Sequence, residues 1–445
     1  MINCSIIQKS HLEGAMRLDA EYYCSDSLIG SNFHLGKDVV SFVQYGTSKE
    51  LNEENRGYPV LRLNEFEDWF AGQPTKYCNK ISEQTFNGLK LKKGDVLICR
   101  TNGNPKLVGK AALVAENTNI AFASYLFRVQ ADSLKINSAT LTAFLNSKIG
   151  RAEIEKFIMP SIQSNFSPAQ FRQIKIPIFP PALQKEIETR LFDSYELLAD
   201  SKSSYQQAED LLLEELGLKN FDFEKILSSV VNYSDVLEAE RIDAEYFQPK
   251  YEKLISKIKE RNYKTLPEII ENVPAVFNAA SKPSENFKYV ELSNINPSVG
   301  IIDGFSEVSG REAPGRAKRI LKSGDVIVSS VEGSLEKVAL VDKEQDGHLA
   351  STGFFQLRSD KILPEVLLVI ARSLVFQMQL EKQCAGTILT AVPKEAIKNI
   401  VVPILPKETQ QKIADLVRQS HKARKKAKEL LEEAKRKVEG MIENK

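Results

Sequence analysis

The sequence predicts an α/β protein built from one half read twice: two similar α/β domains, related by a pseudo-two-fold axis and separated by an antiparallel two-helix coiled coil. Three observations lead there. An internal repeat runs through the whole chain. R-L-D-A-E-Y-Y at 17–23 returns as R-I-D-A-E-Y-F at 241–247, and L-K-K-G-D-V-L-I at 91–98 returns as L-K-S-G-D-V-I-V at 321–328. Repeats at a long, nearly constant separation mark a duplicated architecture. Each half also ends in a long stretch whose seam residues recur at alternating spacings of four and three, the pattern of a coiled-coil helix. Before each of those stretches, short apolar runs alternate with Gly and Pro turn signals, as strands do.

In chain order, each half opens on an extended lead-in. V-L-R-L-N at 60–64 matches Y-V-E-L-S at 289–293, and G-K-A-A-L-V at 109–114 matches E-K-V-A-L-V at 336–341. K-G-D and S-G-D are turn signals before the apolar strands 96–99 and 326–328. A helix is expected over 137–158 and again over 362–383, then a strand ending in Pro177 or Pro403. From 161 to 187 the match to 387–413 is unbroken, with Pro180 on Pro406, Gln184 on Gln410 and Ile187 on Ile413. Gly217 is placed to cap the first long helix, and 217–235 reads as the link to the second half. The expected division is a first domain over 1–182, a long helix over 183–216, link and second domain over 217–408, and a final long helix over 409–445.

The first long helix has its seam at Ile187, Leu191, Ser194, Leu198, Ser201, Tyr205, Ala208 and Leu212. The second is expected to use Ile413, Leu416, Ser420, Ala423, Ala427, Leu430, Ala434, Val438 and Met441. Both seams are small in the middle, so the two helices can approach closely. At about 1.5 Å per residue each would be roughly 50 Å long.

The composition bounds what such a chain does. Its 445 residues suit two or three domains, and 42% hydrophobic with 27% charged residues describes a globular chain. The net charge of +1 does not announce a nucleic-acid binder, though local basic patches can bind DNA all the same. Five scattered cysteines without a C-x-x-C fit a reducing cytoplasm and argue against structural zinc. No signal-peptide core or membrane-length apolar run is present in the sequence. Catalytic signatures are missing: no phosphate loop, no G-x-G-x-x-G, no N-P-P-[YF] or D-P-P-[YF], no G-x-S-x-G, and four histidines that stand alone. Catalysis by this chain, and a cofactor or metal bound by it, are not expected.

Its loops do carry groups that read bases. R-T-N-G-N-P-K at 100–106 brings Arg100, Asn102, Asn104 and Lys106 into one loop after a strand, and S-I-Q-S-N-F-S at 161–167 adds Gln163 and Asn165. Arg and Lys pair with guanine edges, Asn and Gln with adenine. In the second half, R-E-A-P-G-R-A-K-R supplies Arg311, Arg316, Lys318 and Arg319 for phosphate contacts. Gln163 aligns with Leu389 and Asn165 with Ala391, so those polar contacts are not common to both halves.

The repeated R-[LI]-D-A-E-Y-[YF], the repeated L-K-x-G-D-V-[LI], the I-K-I-P-I-F-P-P-A-L-Q-K-E-I run with its copy I-V-V-P-I-L-P-K-E-T-Q-Q-K-I, and a long helix closing each half resemble the specificity subunit of type I restriction-modification enzymes. The resemblance covers essentially the whole chain. It implies two target-recognition domains, each reading one half of a split double-stranded DNA site. The helices, through Ile187, Leu191, Leu198, Leu212, Ile413, Leu416, Leu430 and Val438, would space the domains and dock modification subunits. It further implies that the chain works in the cytoplasm and is not itself an enzyme. S-adenosylmethionine, ATP and Mg2+ would belong to the modification and restriction subunits. The alternatives are a recognition chain of the same fold in another defence system and a coiled-coil assembly adaptor.

Overall fold

The computed structural model describes residues 29–30, 32–158, 164–221, 228–385 and 390–443. The R-L-D-A-E-Y-Y copy at 17–23 lies outside them. The chain falls into two compact units, one within Met1–Leu197 and Lys425–Lys445, the other within Leu198–Arg424. Both are mixed α/β.

The first unit is built on a six-stranded sheet in the order Val40–Tyr45, Leu126–Ala131, Asp95–Cys99, Ala111–Leu113, Phe70–Ala71, Phe66–Glu67. The central strand Asp95–Cys99 is buried at every position. It starts where the sequence signals a turn: Gly94 has φ +89°, a left-handed conformation that glycine adopts without strain. The aspartate of K-G-D closes this turn, accepting from the Lys92 amide at 2.9 Å. It also takes Arg128 Nη1 at 2.9 Å and Gln130 Nε2 at 2.8 Å, so the buried carboxylate is fully hydrogen-bonded. A smaller sheet runs Ala121–Phe122, Tyr58–Leu61, Lys76–Cys78.

The second unit repeats the order with Glu271–Asn272, Phe354–Arg358, Val326–Ser329, Val338–Leu340, Ile301–Ile302, Ile295–Asn296. Gly324 (φ +91°) makes the turn, and Asp325 accepts from the Lys322 amide at 2.9 Å. Here the arginine and glutamine have exchanged places on the neighbouring strand. Gln356 reaches Asp325 at 2.6 Å and Arg358 makes a two-pronged contact at 2.7 and 2.9 Å. The repeated G-D-V is thus a buried ion-pair scaffold. The smaller sheet has four strands, Ser306–Ser309, Asn286–Val290, Leu349–Ser351 and Ala317–Ile320. The first unit has the helix Glu83–Leu89 where the second has Ala317–Ile320.

Each unit departs from the sequence expectation in its helical segment. In place of the single helix expected over 137–158 there are two, Ser138–Asn146 and Lys148–Glu155. Likewise 362–383 divides into Pro364–Arg372 and Leu374–Gln383. A buried serine makes each break. Ser147 donates to the Phe144 carbonyl at 2.7 Å and accepts from the Gly150 amide at 3.1 Å, so it ends one helix and caps the next. Ser373 donates to Ile370 at 2.8 Å. The strands Lys175–Pro177 and Val401–Pro403 end where expected.

The long helices run over Pro181–Leu216 and Lys407–Glu443. Within each unit their segments lie antiparallel. In the first, Ser194 donates to the Ala427 carbonyl at 3.0 Å and Arg190 meets Glu433 at 3.4 Å. In the second, the Ser201 and Ser420 hydroxyls are 3.1 Å apart and Thr409 reaches Glu215 at 3.1 Å. Hydroxyl-to-backbone contact needs the close approach that small seam residues allow. All eight expected seam residues of the first helix are buried. The second seam needs correction. Ile413, Ser420, Ala427, Ala434 and Val438 are buried, but Val417, Arg424, Leu431 and Ile442 take the places expected for Leu416, Ala423, Leu430 and Met441, which are only partly buried. Both choices keep three-four spacing. Arg424 in the seam finds Asp303 at 3.3 Å. Gly217, at φ +67°, ends the first helix, with the Leu218 amide bonded back to the Leu213 carbonyl at 2.7 Å.

Candidate nucleic-acid interface

In the first unit the central strand runs out into the loop Arg100–Lys106, and the fold brings the second expected loop against it. Ser164–Asn165 pairs antiparallel with Thr101–Asn102. The Phe166 amide donates to the Arg100 carbonyl at 2.7 Å, and Thr101 Oγ1 donates to the Ser164 carbonyl at 3.0 Å. Two polar segments more than sixty residues apart thus form one edge. Gln163 lies outside the described residues; Asn165 is exposed.

The loop builds its own shape. Asn102 Oδ1 accepts from the Asn104 amide at 2.8 Å, and Asn104 Oδ1 from the Lys106 amide at 3.1 Å, capping a short turn that Pro105 begins. Each asparagine keeps its NH2 donors. Lys106 is exposed and makes no ion pair among the described residues. From below, Arg151 donates to the Lys106 carbonyl at 3.2 Å; burial pulls its pKa down. Arg100 is half-buried, with its guanidinium carbon 5.4 Å from the Tyr45 ring centre. Its backbone amide is held by the Tyr125 carbonyl at 2.7 Å.

Sequence reading misses Tyr45 and Tyr125. They are 48% and 54% exposed, large for aromatic side chains, and they flank the basic loop. An exposed aromatic beside a basic loop is a nucleic-acid signal. In the sequence, though, both lie far from 100–106, and only the strand pairing brings them near.

In the second unit, Arg311, Arg316 and Lys318 are exposed, without ion pairs among the described residues. Arg319 is not with them. It alternates inward on the strand Ala317–Ile320, is 2% exposed, and donates to the Val273 carbonyl. Burial pulls its pKa down, and it belongs to the interior rather than to a phosphate-binding face. The place equivalent to Arg100–Lys106 is taken by the loop after Val326–Ser329. There Val331 bridges Ala391, and the Val392 amide donates to the Ser330 carbonyl at 2.8 Å.

The R-I-D-A-E-Y-F copy has a local task. Arg241 makes a two-pronged ion pair with Asp243 at 2.8 and 2.9 Å and stacks 4.5 Å from the Tyr246 ring centre. It also donates to the Cys384 carbonyl at 2.9 Å, gripping the end of the helix Leu374–Gln383 just before the segment that meets Val331. The Arg241 hydrogen bonds hold the Asp243 carboxyl below its usual pKa. Among the described residues no three His, Cys, Asp or Glu side chains gather as metal ligands, and no helix is long and apolar enough to cross a membrane.

No family model matches the chain. Among curated proteins it is 24% identical over 145 residues to the type I restriction enzyme HindI specificity subunit of Haemophilus influenzae, spanning 32% of this chain and 28% of that one. It is 28% identical over 172 residues to the StySPI specificity subunit of Salmonella potsdam, spanning 38% and 36%. With the EcoKI specificity subunit of Escherichia coli it shares 25% identity over 258 residues, spanning 56% and 50%. The chain therefore spans half or less of the length of these relatives. Of solved structures, the type I restriction-modification S subunit from M. genitalium is 12% identical, with a TM-score of 0.42 over 94% of this chain and 96% of that one. The S subunit from Thermoanaerobacter tengcongensis is 12% identical, with a TM-score of 0.30 over 93% and 96%. Over the matched residues, what this chain is similar to is the specificity subunit of type I restriction enzymes.

Proposed function

We propose that the chain is a non-catalytic DNA-specificity subunit that reads a split double-stranded site and directs modification and restriction subunits to it. One observation carries this reading: a polar loop leaves the central strand of each unit and is pinned by a second segment at the same place. A duplicated edge of this kind suits two half-sites. Arg100, Asn102, Asn104 and Asn165 present donors that pair with purine edges. Lys106, Arg311, Arg316 and Lys318 suit phosphates, which position a protein without reading sequence. The two units are a pseudo-symmetric pair of recognition domains, and the long helices are the coiled-coil spacer between them. S-adenosylmethionine, ATP and Mg2+ act on the partner subunits. The site of action is cytoplasmic DNA.

Selection from a pool of fully randomised duplexes by the full-length chain tests the proposal. The expected product is two short conserved blocks separated by a non-conserved spacer of constant length. Recovery of no motif, as an assembly adaptor would give, or of one uninterrupted motif, overturns it.

A further inference from the structure

The loops that leave the two central strands occupy the same place in their units but carry opposite charge. In the first unit, Asp95–Cys99 runs into R-T-N-G-N-P-K; in the second, Val326–Ser329 runs into S-V-E-G-S-L-E. Main-chain contacts fix the residue-by-residue match. The Arg100 carbonyl accepts from Phe166 at 2.7 Å, and the Ser330 carbonyl from Val392 at 2.8 Å. Thr101 pairs with Asn165, and Val331 with Ala391. Asn102 stands opposite Ser164, and the Glu332 amide donates to the Thr390 carbonyl at 3.0 Å. Glu332 therefore stands where Asn102 stands, each followed by a glycine.

Glu332 is exposed, and its side chain makes no hydrogen bond or ion pair among the described residues. The next residue, Gly333, is exposed as well, and a Cβ built on it would meet nothing within 4 Å, so the backbone at this turn is open to solvent. An ionised carboxylate only accepts hydrogen bonds. In the major groove, cytosine offers the N4 amino donor. Guanine offers only the acceptors N7 and O6, and thymine the acceptor O4. Adenine sets its N7 acceptor beside N6, so a carboxylate there meets repulsion as well as attraction.

Resting on the function proposed above, we infer that Glu332 reads a cytosine in the half-site taken by the second unit. The two loops then select opposite chemistries: Arg100 and Lys106 seek acceptors on DNA, and Glu332 seeks a donor.

The experiment is the randomised-duplex selection with the full-length chain as wild type, Glu332→Gln and Glu336→Gln. Glu336 is the other exposed acid of the same loop, so its variant makes the same charge change at a different place. Wild type is expected to prefer a C·G pair roughly tenfold or more at one position of one half-site. Glu332→Gln should reduce that preference to within about twofold, with the other half-site unchanged. Glu336→Gln should leave it intact. If Glu332→Gln recovers the wild-type site, relaxes a position that is not C·G, or acts no differently from Glu336→Gln, the inference is overturned while the split-site reading stands. If wild type recovers no site, both fall.

Discussion

At the scale of single residues, Arg100 and Lys106 should behave differently. Arg100 is braced by Tyr45 and its backbone by Tyr125. Arg100→Ala should cost about 1–3 kcal/mol on the preferred site and relax one position, measured by competition between substituted duplexes. Lys106→Ala should weaken all duplexes alike and lower the slope of log affinity against log salt by about one. A second residue prediction concerns the scaffold. Asp325 is 1% exposed and holds Arg358 and Gln356. Asp325→Ala leaves the buried Gln356 amide and the partly exposed Arg358 without their acceptor and should cost about 1–3 kcal/mol in urea unfolding. The G-D-V turn and its role at the strand start were legible in the sequence, because Gly before Asp signals such a turn by local chemistry alone. The inward turn of Arg319 was not. A basic run reads as surface until the strand register is known, and strand alternation then decides which of two neighbours faces out; here Lys318 does and Arg319 does not.

At the scale of elements, the small residues of the long helices set their separation. Ser201 and Ser420 meet at 3.1 Å and are essentially buried. Ser201→Leu should force the helices apart there and cost about 1–3 kcal/mol, read by thermal or urea unfolding. The first seam was legible because Leu191 and Tyr205 fix its register, the alternatives one residue earlier being Arg190 and Ser204. The second was not, because Leu430 and Leu431 are adjacent and both obey the three-four rule. What decides is the packing of the neighbouring faces and the acid, Asp303, that receives Arg424. The broken helices escaped sequence reading for a related reason. Ser147 and Ser373 are ordinary residues in a helical run, and only their hydrogen bonds to carbonyls three residues earlier show that they end a helix. Gly150 records the same constraint: a side chain there would lie 1.9 Å from the Phe144 carbonyl oxygen. Gly150→Ala should therefore destabilise the first unit, where an alanine in an open helix would stabilise it by up to about 1 kcal/mol.

At the scale of the whole molecule, 60 basic and 59 acidic side chains leave no overall field to draw DNA in, so recognition falls to local edges. The matching strand order of the two six-stranded sheets was legible as a repeat in the sequence. The content of the two edges was legible only in part, because matching Asn102 to Glu332 depends on ladders that sequence alignment does not contain. In the proposed reading, the paired helices hold the half-sites at a constant spacing. One heptad added after Ser201 and another before Ser420, which bond to each other, keeps both seams and lengthens the pair by about 10 Å. That is about 3 base pairs of duplex axis at ~3.4 Å each. The most direct measurement is to map methylated bases across the genome of a cell expressing the chain, native or lengthened, with the modification subunits proposed above. The account predicts two half-sites at one spacing for the native chain, and the same half-sites at a different spacing, or no specific methylation, for the lengthened one. Methylation of the original site at the original spacing by the lengthened chain would contradict it.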